Sequence, residues 1–261
     1  MSAVRGFHIA VDSTARPPID RKEKIYMFKE IIQLNRYNKK FKQDHPDYFY
    51  EDGITVFCGV QGAGKTLSGV KYCLELMDKY PKSILVSNVQ INREDIKNRV
   101  LKWNGLESLA NVQNDEFGVI YFIDEMHLIF NSLESKQIPI EVFATISQQR
   151  KQRKCIVGTS QLFLRMAKPF REQVKNVVFC SPCLFGYKIL NEWVAGEDII
   201  ETPDGVIFDR QKNTSFYKSE ELYNLYDTYA VIERGAGGYS LYDTTTNTHK
   251  INRKERKRYG Y

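Results

Sequence analysis

Residues 59–66 read Gly-Val-Gln-Gly-Ala-Gly-Lys-Thr, a complete G-x-x-x-x-G-K-T phosphate-binding loop. Residues 54–58 before it form the β-branched and aromatic run of a short strand, and residues 67–79 after it carry apolar side chains at helical spacing. This order places backbone N–H groups and the positive end of a helix dipole around a polyphosphate. The stretch therefore predicts a strand–loop–helix unit with a nucleotide site.

The loop predicts ATP and Mg²⁺ as cofactors. Lys65 would reach the β- and γ-phosphates, and the Thr66 hydroxyl would hold the metal ion. The alternative is a chance glycine-rich turn, against which the flanking strand and helix argue. The predicted nucleotide-binding residues are Gly59, Val60, Gln61, Gly62, Ala63, Gly64, Lys65 and Thr66.

A second motif, residues 118–125, is an apolar run that ends in Asp124 and Glu125. Such a run is typical of a buried parallel strand, whose carboxyl end is where open α/β sheets bind ligands. Asp124 suits the acid of the Mg²⁺ shell, and Glu125 suits the base that polarises a water for attack on the γ-phosphorus. Taken alone, the run also fits a core strand capped by solvated acids. Beside a phosphate loop, the paired acids favour ATP hydrolysis, and no Asn/Thr-Lys-x-Asp segment follows to support guanine selectivity.

Strands and helices are predicted to alternate along the chain. Alternation of this kind indicates a three-layer α/β fold around a parallel sheet. After about Ser181, shorter strand-like runs and a turn signal predict a small C-terminal β-rich extension. Further strands are predicted at 83–87, 119–123, 155–161 and 177–180, and helices at 21–41, 91–101, 138–149 and 220–229.

These patterns divide the chain into four parts. Residues 1–50 form an N-terminal arm and amphipathic helix, and 51–181 form the P-loop ATPase core. Residues 182–234 are the C-terminal extension of that domain, and 235–261 are a flexible basic tail.

The composition is that of an ordinary globular protein, since 42% of the 261 residues are hydrophobic and 27% are charged. No apolar run is long enough for a membrane span, and the N-terminus lacks the apolar core of a signal peptide. The cysteines include one C-x-x-C pair, Cys180 and Cys183, but no second pair or histidine cluster completes a zinc site. Reduced thiols in a cytoplasm are the simpler interpretation.

The net charge of +6 is unevenly placed. Residues 250–261 hold six basic residues and one acidic residue, and residues 20–43 hold eight basic and three acidic residues. Segregated positive charge indicates a polyanionic partner, so the tail is expected to contact DNA. A solubilising tail, or a docking tag for an acidic protein, is the alternative. The predicted nucleic-acid contacts are Lys250, Arg253, Lys254, Arg256, Lys257 and Arg258.

With these motifs, the chain resembles the FtsK–HerA superfamily of P-loop ATPases. Within it, the sequence is similar to the zonula-occludens-toxin-like proteins of filamentous phages and to viral genome-packaging ATPases. The resemblance covers roughly residues 53–229 and rests on 122–130, 147–153, 157–161 with Arg171 beyond it, and 225–229.

The resemblance implies a RecA-like (ASCE) core in which Gln161 senses the γ-phosphate. It also implies homo-oligomeric rings, hexamers or pentamers, that move DNA. Arg150 or Arg153, with Arg171 as a third candidate, would complete the site of a neighbouring subunit, and a solvated basic face is the alternative for each. Filamentous-phage members usually carry a membrane span after the ATPase domain, which is not found in this sequence.

The main functional hypothesis is an ATP-driven DNA translocase that packages or exports the genome of a virus or mobile element. It would act in the host cytoplasm, with a portal, capsid or membrane protein of the same element as a candidate partner that ties it to a virion or membrane. A second hypothesis is an assembly ATPase that handles coat proteins at the membrane. A third is a small-molecule kinase, against which the paired acids and the basic tail argue.

Overall fold

The computed structural model describes residues 21–93, 95–131, 140–202, 205–226, 233–235 and 238–240. Two compact units are distinguished, Met1–Pro46 and Asp47–Tyr261. The predicted arm at 1–19 and the tail residues 241–261, which include all six predicted nucleic-acid contacts, lie outside the described residues.

The first unit contains one long helix, α1 (Arg21–Asp44), as the sequence predicts. Its apolar side chains are exposed, including Phe28 at 65% and Leu34 at 59% of their accessible surface. Basic residues such as Lys29 and Arg36 lie between them and are exposed as well.

The second unit is built on one sheet with eight strands among its described residues, in the order β10-β7-β6-β1-β5-β4-β2-β3. Six neighbouring strands, β6 through β3 in this order, pair in parallel, and β7 and β10 add antiparallel pairs at one edge. Two short hairpins, β8–β9 and β11–β12, stand outside it. The strands are β1 (Gly53–Cys58), β2 (Ile84–Ser87), β3 (Arg99–Lys102), β4 (Val119–Ile123), β5 (Lys154–Ser160), β6 (Val174–Cys183), β7 (Lys188–Ala195), β8 (Ile200–Thr202), β9 (Gly205–Ile207), β10 (Lys212–Tyr217), β11 (Glu233–Gly235) and β12 (Gly238–Ser240).

Helices follow the parallel strands. They are α2 (Lys65–Lys79), α3 (Glu107–Asn111), α4 (Ile140–Ser147), α5 (Gln149–Gln152), α6 (Lys168–Arg171) and α7 (Glu220–Asn224). No helix in the described ranges is long and apolar enough to cross a membrane.

Both faces of the parallel sheet are buried, which explains why β4 is apolar at every position. One face packs with α2 around Phe57, Ile120 and Val157. The other face packs around Tyr121 and Ile156 together with residues of α3, α4 and the loops beyond β4 and β5. The predicted three-layer α/β arrangement is therefore confirmed.

The strand order identifies the type of α/β fold. β5 lies between β1, which leads into the phosphate loop, and β4, which leads into the paired acids. This insertion is the arrangement of the RecA-like (ASCE) P-loop NTPases, as predicted. Because the strands are parallel, with Cys58 opposite Ser160 and Ile123 opposite Gly158, their carboxyl ends meet at one edge.

The predicted helix at 91–101 is wrong. Val100 and Leu101 lie in strand β3 instead, where they pair with Leu85 and Val86 of β2. The backbone groups at the edge of β2 gain hydrogen-bond partners in this way. These hydrogen bonds stabilise the strand more than the weak apolar spacing of the segment would stabilise a helix.

The β-rich extension joins the main sheet, because β7 and β10 extend it beyond β6. β6 itself is longer than the predicted strand at 177–180. Cys180 and Cys183 both lie in this strand, where side chains three residues apart point to opposite faces. The pair therefore does not form the two-thiolate half of a zinc site.

Candidate nucleotide-binding site

The phosphate loop leaves β1 at Gly59 and enters α2 at Lys65. Gly64 has a φ of 87°, and a Cβ there would lie 2.2 Å from Cδ1 of Ile189, so only glycine fits. The Lys65 ammonium group folds back over the loop and donates to the carbonyl oxygen of Val60 at 3.2 Å. The loop and the first turn of α2 thus surround one space with N–H groups and a cation.

The phosphate loop and the acid strand meet directly. The Thr66 hydroxyl donates to Oδ1 of Asp124 at 2.9 Å. These two oxygens suit Mg²⁺, which prefers oxygen ligands and takes one or two protein groups with substrate phosphates and water. The donor set present therefore fits the predicted metal ion.

A threonine on the intervening strand orders the two acids. The Thr159 hydroxyl, at the end of β5, donates to Oδ1 of Asp124 at 2.7 Å and accepts from the Glu125 N–H at 2.9 Å. Asn88, just after β2, exchanges two hydrogen bonds with the Asp124 backbone, at 2.8 and 3.0 Å. The acids are therefore held from both neighbouring strands.

Glu125 lies in a strained conformation at the rim of the site. Its φ is 50°, in the left-handed region that bulky residues avoid. Burial, together with the Asp124 carboxylate, raises the pKa of Glu125, while Lys65 and Arg165 oppose the rise. A carboxylate with a raised pKa is a stronger base, as the predicted role requires.

His127 is a neighbour of Glu125 that sequence reasoning missed. Its Nδ1 lies 3.2 Å from Oε2 of Glu125, without the alignment of a hydrogen bond. Burial, with the charges of Arg165 and Lys65, lowers the pKa of His127, which favours the neutral imidazole. Oε2 of Glu125 and Nδ1 of His127 are thus two neighbouring buried polar atoms without a hydrogen-bond partner among the described residues.

Gln161 follows β5 at the same edge of the sheet. Its Oε1 accepts a hydrogen bond from Nη1 of Arg165 at 3.3 Å. Arg165 is exposed and its charge acts on both Glu125 and His127. The site therefore holds a second cation besides Lys65.

Two of the three predicted trans-acting arginines lie away from this space. Arg150 and Arg153 precede β5, at the opposite edge of the sheet from the phosphate loop. Arg150 is 90% exposed, with its Nε 3.8 Å from Asp52, whereas the Arg153 guanidinium stacks 4.7 Å from the centre of the Tyr48 ring. Arg171 donates to the carbonyl oxygens of Leu164 and Met166.

Sequence reasoning also missed Asn88 and Thr159, whose partner is distant in sequence. Asn88 and Thr159 lie 36 and 35 residues from Asp124. Their position just at or after a strand end was visible in the sequence, but their pairing depends on strand order. Only the placement of β5 between β1 and β4 brings Thr159 to the acids.

No family model and no curated protein matches the chain. Solved structures do match, and one of them is the N-terminal domain of zonular occludens toxin from Neisseria meningitidis. It has 13% sequence identity and a TM-score of 0.46, and the match covers 67% of this chain and 99% of that domain. The genome-packaging NTPase B204 from Sulfolobus turreted icosahedral virus 2, in complex with ATP-gammaS, has 10% identity, covers 64% of this chain and 97% of its own, and has a TM-score of 0.43. The flagellar accessory protein FlaH from Methanocaldococcus jannaschii has 10% identity, 63% and 84% coverage, and a TM-score of 0.40.

The matches include both kinds of protein that the sequence resembles, a zonular occludens toxin domain and a viral genome-packaging NTPase. The fold assignment rests on the strand order and the phosphate loop, because these identities and TM-scores are low.

Proposed function

We propose that the chain is an ATP-hydrolysing motor that moves DNA, for packaging or export of a viral or mobile-element genome. The observation that carries the ATPase part is the 2.9 Å hydrogen bond between Thr66 and Asp124. It joins the phosphate loop to the acid strand, at whose end Glu125 is the next residue after Asp124.

The arrangement separates the roles that hydrolysis needs. Lys65 neutralises phosphate charge, while Thr66 and Asp124 would hold Mg²⁺, which neutralises charge on the β- and γ-phosphates. Glu125 accepts a proton from the attacking water, and Gln161 and Arg165 line the γ-phosphate side. In this reaction, water is the acceptor of the γ-phosphoryl group, so no second substrate is needed.

The DNA part of the proposal is supported by charge. The sequence concentrates basic residues at 250–261 and along α1, so two segments suit a phosphate backbone. The resemblance of segments 122–130 and 157–161 to viral genome-packaging ATPases agrees with this charge distribution. By the same reasoning we propose a homo-oligomeric ring in the host cytoplasm, recruited by a portal, capsid or membrane protein of the same element.

ATP turnover with and without DNA tests this proposal. The parent protein should hydrolyse ATP faster when duplex or single-stranded DNA is added, and Lys65→Ala should hydrolyse none because it lacks the charge on the β- and γ-phosphates. A mass measurement under the same conditions gives the number of subunits in the proposed ring. Turnover that no DNA stimulates would contradict the motor assignment while leaving the ATPase assignment in place.

One observation favours a second function, an assembly ATPase at a membrane. Helix α1 exposes Phe28, Ile31 and Ile32 among basic residues, a pattern typical of helices that lie in the membrane interface. Flotation with vesicles that contain anionic lipid distinguishes the two functions. Binding that Phe28→Ser and Ile32→Ser abolish, together with turnover that DNA leaves unchanged, would favour the assembly ATPase.

A further inference from the structure

The hairpin formed by β6 and β7 projects past the phosphate loop. In the parallel pair of β1 and β6, Cys58 lies opposite Phe179, yet β6 continues to Cys183. These four additional residues extend the hairpin by about 13 Å beyond the end of β1. The hairpin therefore extends beyond the carboxyl end of β1, next to the phosphate loop.

The base of this hairpin is in contact with the loop itself. A Cβ on Gly59 would lie 2.7 Å from the carbonyl oxygen of Cys180 in β6, and one on Gly64 would lie 2.2 Å from Cδ1 of Ile189 in β7. Loop and hairpin thus form one continuous wall, with no room for a side chain between them.

The turn at the tip of the hairpin has large side chains at positions where such turns favour small residues. The Gly186 N–H donates to the carbonyl oxygen of Cys183 at 3.1 Å, and the two central residues, Leu184 and Phe185, have φ angles of 47° and 53°. Such turns ordinarily place Asn and Gly at these positions. Phe185 is fully exposed and Tyr187 is 72% exposed, so the stability of the turn does not account for either ring.

The strand order fixes the direction in which a bound nucleotide runs, given the proposed function. Asp124, Glu125 and Gln161 mark the γ-phosphate end, and they follow β4 and β5 on one side of β1. The nucleoside therefore leaves the loop on the other side of β1. β6 and β7 are the strands on that side.

We propose that the tip of the β6–β7 hairpin is the base-binding surface of the site, with Phe185 and Tyr187 stacking on the nucleobase. The five residues from Cys183 to Tyr187 carry no charge, which suits a base rather than a phosphate backbone. Stacking on an aromatic ring accepts any base, because every base has a π face. The contact strengthens ATP and GTP binding alike, and hydrogen bonds elsewhere set the choice between them.

Calorimetric binding of ATP, GTP and inorganic triphosphate tests this surface. Phe185→Gly is the informative change, because glycine relieves the positive φ and the variant keeps its fold. The double variant with Tyr187→Ala should bind ATP and GTP roughly 5- to 100-fold more weakly, the range expected for loss of base stacking. Its affinity for triphosphate should equal that of the parent. Tyr223→Ala, which removes an exposed ring from α7, is the matched control and should bind all three ligands as the parent does.

Each contrary result has its own meaning. Unchanged ATP affinity in the double variant overturns the proposal, and if affinity for a single-stranded oligonucleotide falls instead, the hairpin contacts nucleic acid. An equal loss of ATP and triphosphate binding also overturns it, because the phosphate loop itself has then been disturbed. If the parent protein binds neither ATP nor triphosphate, the proposed function itself is contradicted. The other results leave the proposed function intact.

Discussion

At the residue scale, the hydroxyl of Thr159 connects Asp124, the proposed metal ligand, to Glu125, the proposed general base. Thr159→Val keeps the shape of the side chain but removes the bond to Asp124 and the acceptor for the Glu125 N–H. We expect turnover to fall about 10- to 100-fold, as is typical when a group that orients a metal ligand is lost. Steady-state ATPase assays measure the change.

Thr55→Val is the control for this substitution. Thr55 is also a buried strand threonine, but among the described residues its hydroxyl accepts from Nδ2 of Asn176, at 3.3 Å, and contacts neither acid. Thr159→Val loses two hydrogen bonds and Thr55→Val loses one, and we expect each variant to lose about 1–3 kcal/mol of unfolding free energy. Equal turnover in the two variants would show that Thr159 acts through stability alone.

Glu125 is the residue whose role is most sharply tested by a conservative change. Glu125→Gln keeps the size of the side chain and removes the base, so ATP binding should persist while turnover falls to background. A filter-binding assay and an ATPase assay on the same preparation separate the two. Hydrolysis at the parental rate would show that another group accepts the proton, and His127, whose Nδ1 lies 3.2 Å from Oε2 of Glu125, is a candidate.

The sequence predicted the local half of this site. Lys65 and Thr66 belong to one contiguous motif, and Asp124 ends a recognisable buried strand, so each was identified without tertiary information. Thr159 was not, because its role depends on which strands become neighbours. His127 lies only two residues after Glu125 and was missed although its contact is local. The contact of Thr159 with the acids is a property of the sheet rather than of any short segment.

At the element scale, the start of β4 depends on one glycine. Gly118 has a φ of 71°, and a Cβ there would lie 2.2 Å from Cγ of the buried Phe49. Gly118→Ala should therefore lower the unfolding free energy by about 2–4 kcal/mol, from backbone strain and overpacking together. Urea denaturation measures the loss.

Gly105→Ala separates the two causes. Gly105 has a φ of 81° but nothing within 4 Å of the added Cβ, so this variant carries backbone strain alone. We expect it to lose about 1–2 kcal/mol. If both variants lose the same amount, the contact with Phe49 contributes nothing and β4 accommodates the methyl group.

Elements differ in how well their sequences predict them. β1, β4, β5 and α2 were identified because each is a strong pattern of one kind, buried on two faces or amphipathic. β3 was missed because three of its four residues are exposed and its pairing supplies no apolar pattern. An edge strand of this kind is determined by the free hydrogen-bonding groups of its neighbour, which no local pattern records.

At the scale of the whole molecule, the position of Arg150 suits the proposed contact with a neighbouring subunit better than a role in the site of its own chain. It lies at the opposite edge of the sheet from the phosphate loop, about 20 Å away along β1, and its side chain is 90% exposed. We expect Arg150→Ala to lower turnover by about 10³-fold or more if the guanidinium neutralises transition-state charge in an adjacent subunit.

Mixed assemblies test that arrangement. Lys65→Ala and Arg150→Ala subunits should each be inactive alone and regain partial ATPase activity when mixed, since some sites then combine an intact loop with an intact arginine. Arg153→Ala is the control, because its guanidinium stacks on Tyr48 and bonds to the Asp115 carbonyl within its own chain. No recovery at any ratio, despite confirmed co-assembly, would count against sharing.

The concentration of charge in the last twelve residues predicts how DNA binding, as proposed for this chain, would depend on salt. If the six basic residues from Lys250 to Arg258 neutralise phosphates, the logarithm of the affinity should fall with the logarithm of salt, with a slope of about −0.9 per contact on a duplex. Deleting residues 250–261 should weaken binding and flatten this slope, while basal ATPase activity stays near normal because the site lies elsewhere. Replacing Lys29, Arg36 and Lys40 of α1 by glutamine is the matched comparison. An unchanged slope after the deletion, with a flattened one after the α1 replacement, would move the DNA contact from the tail to the helix.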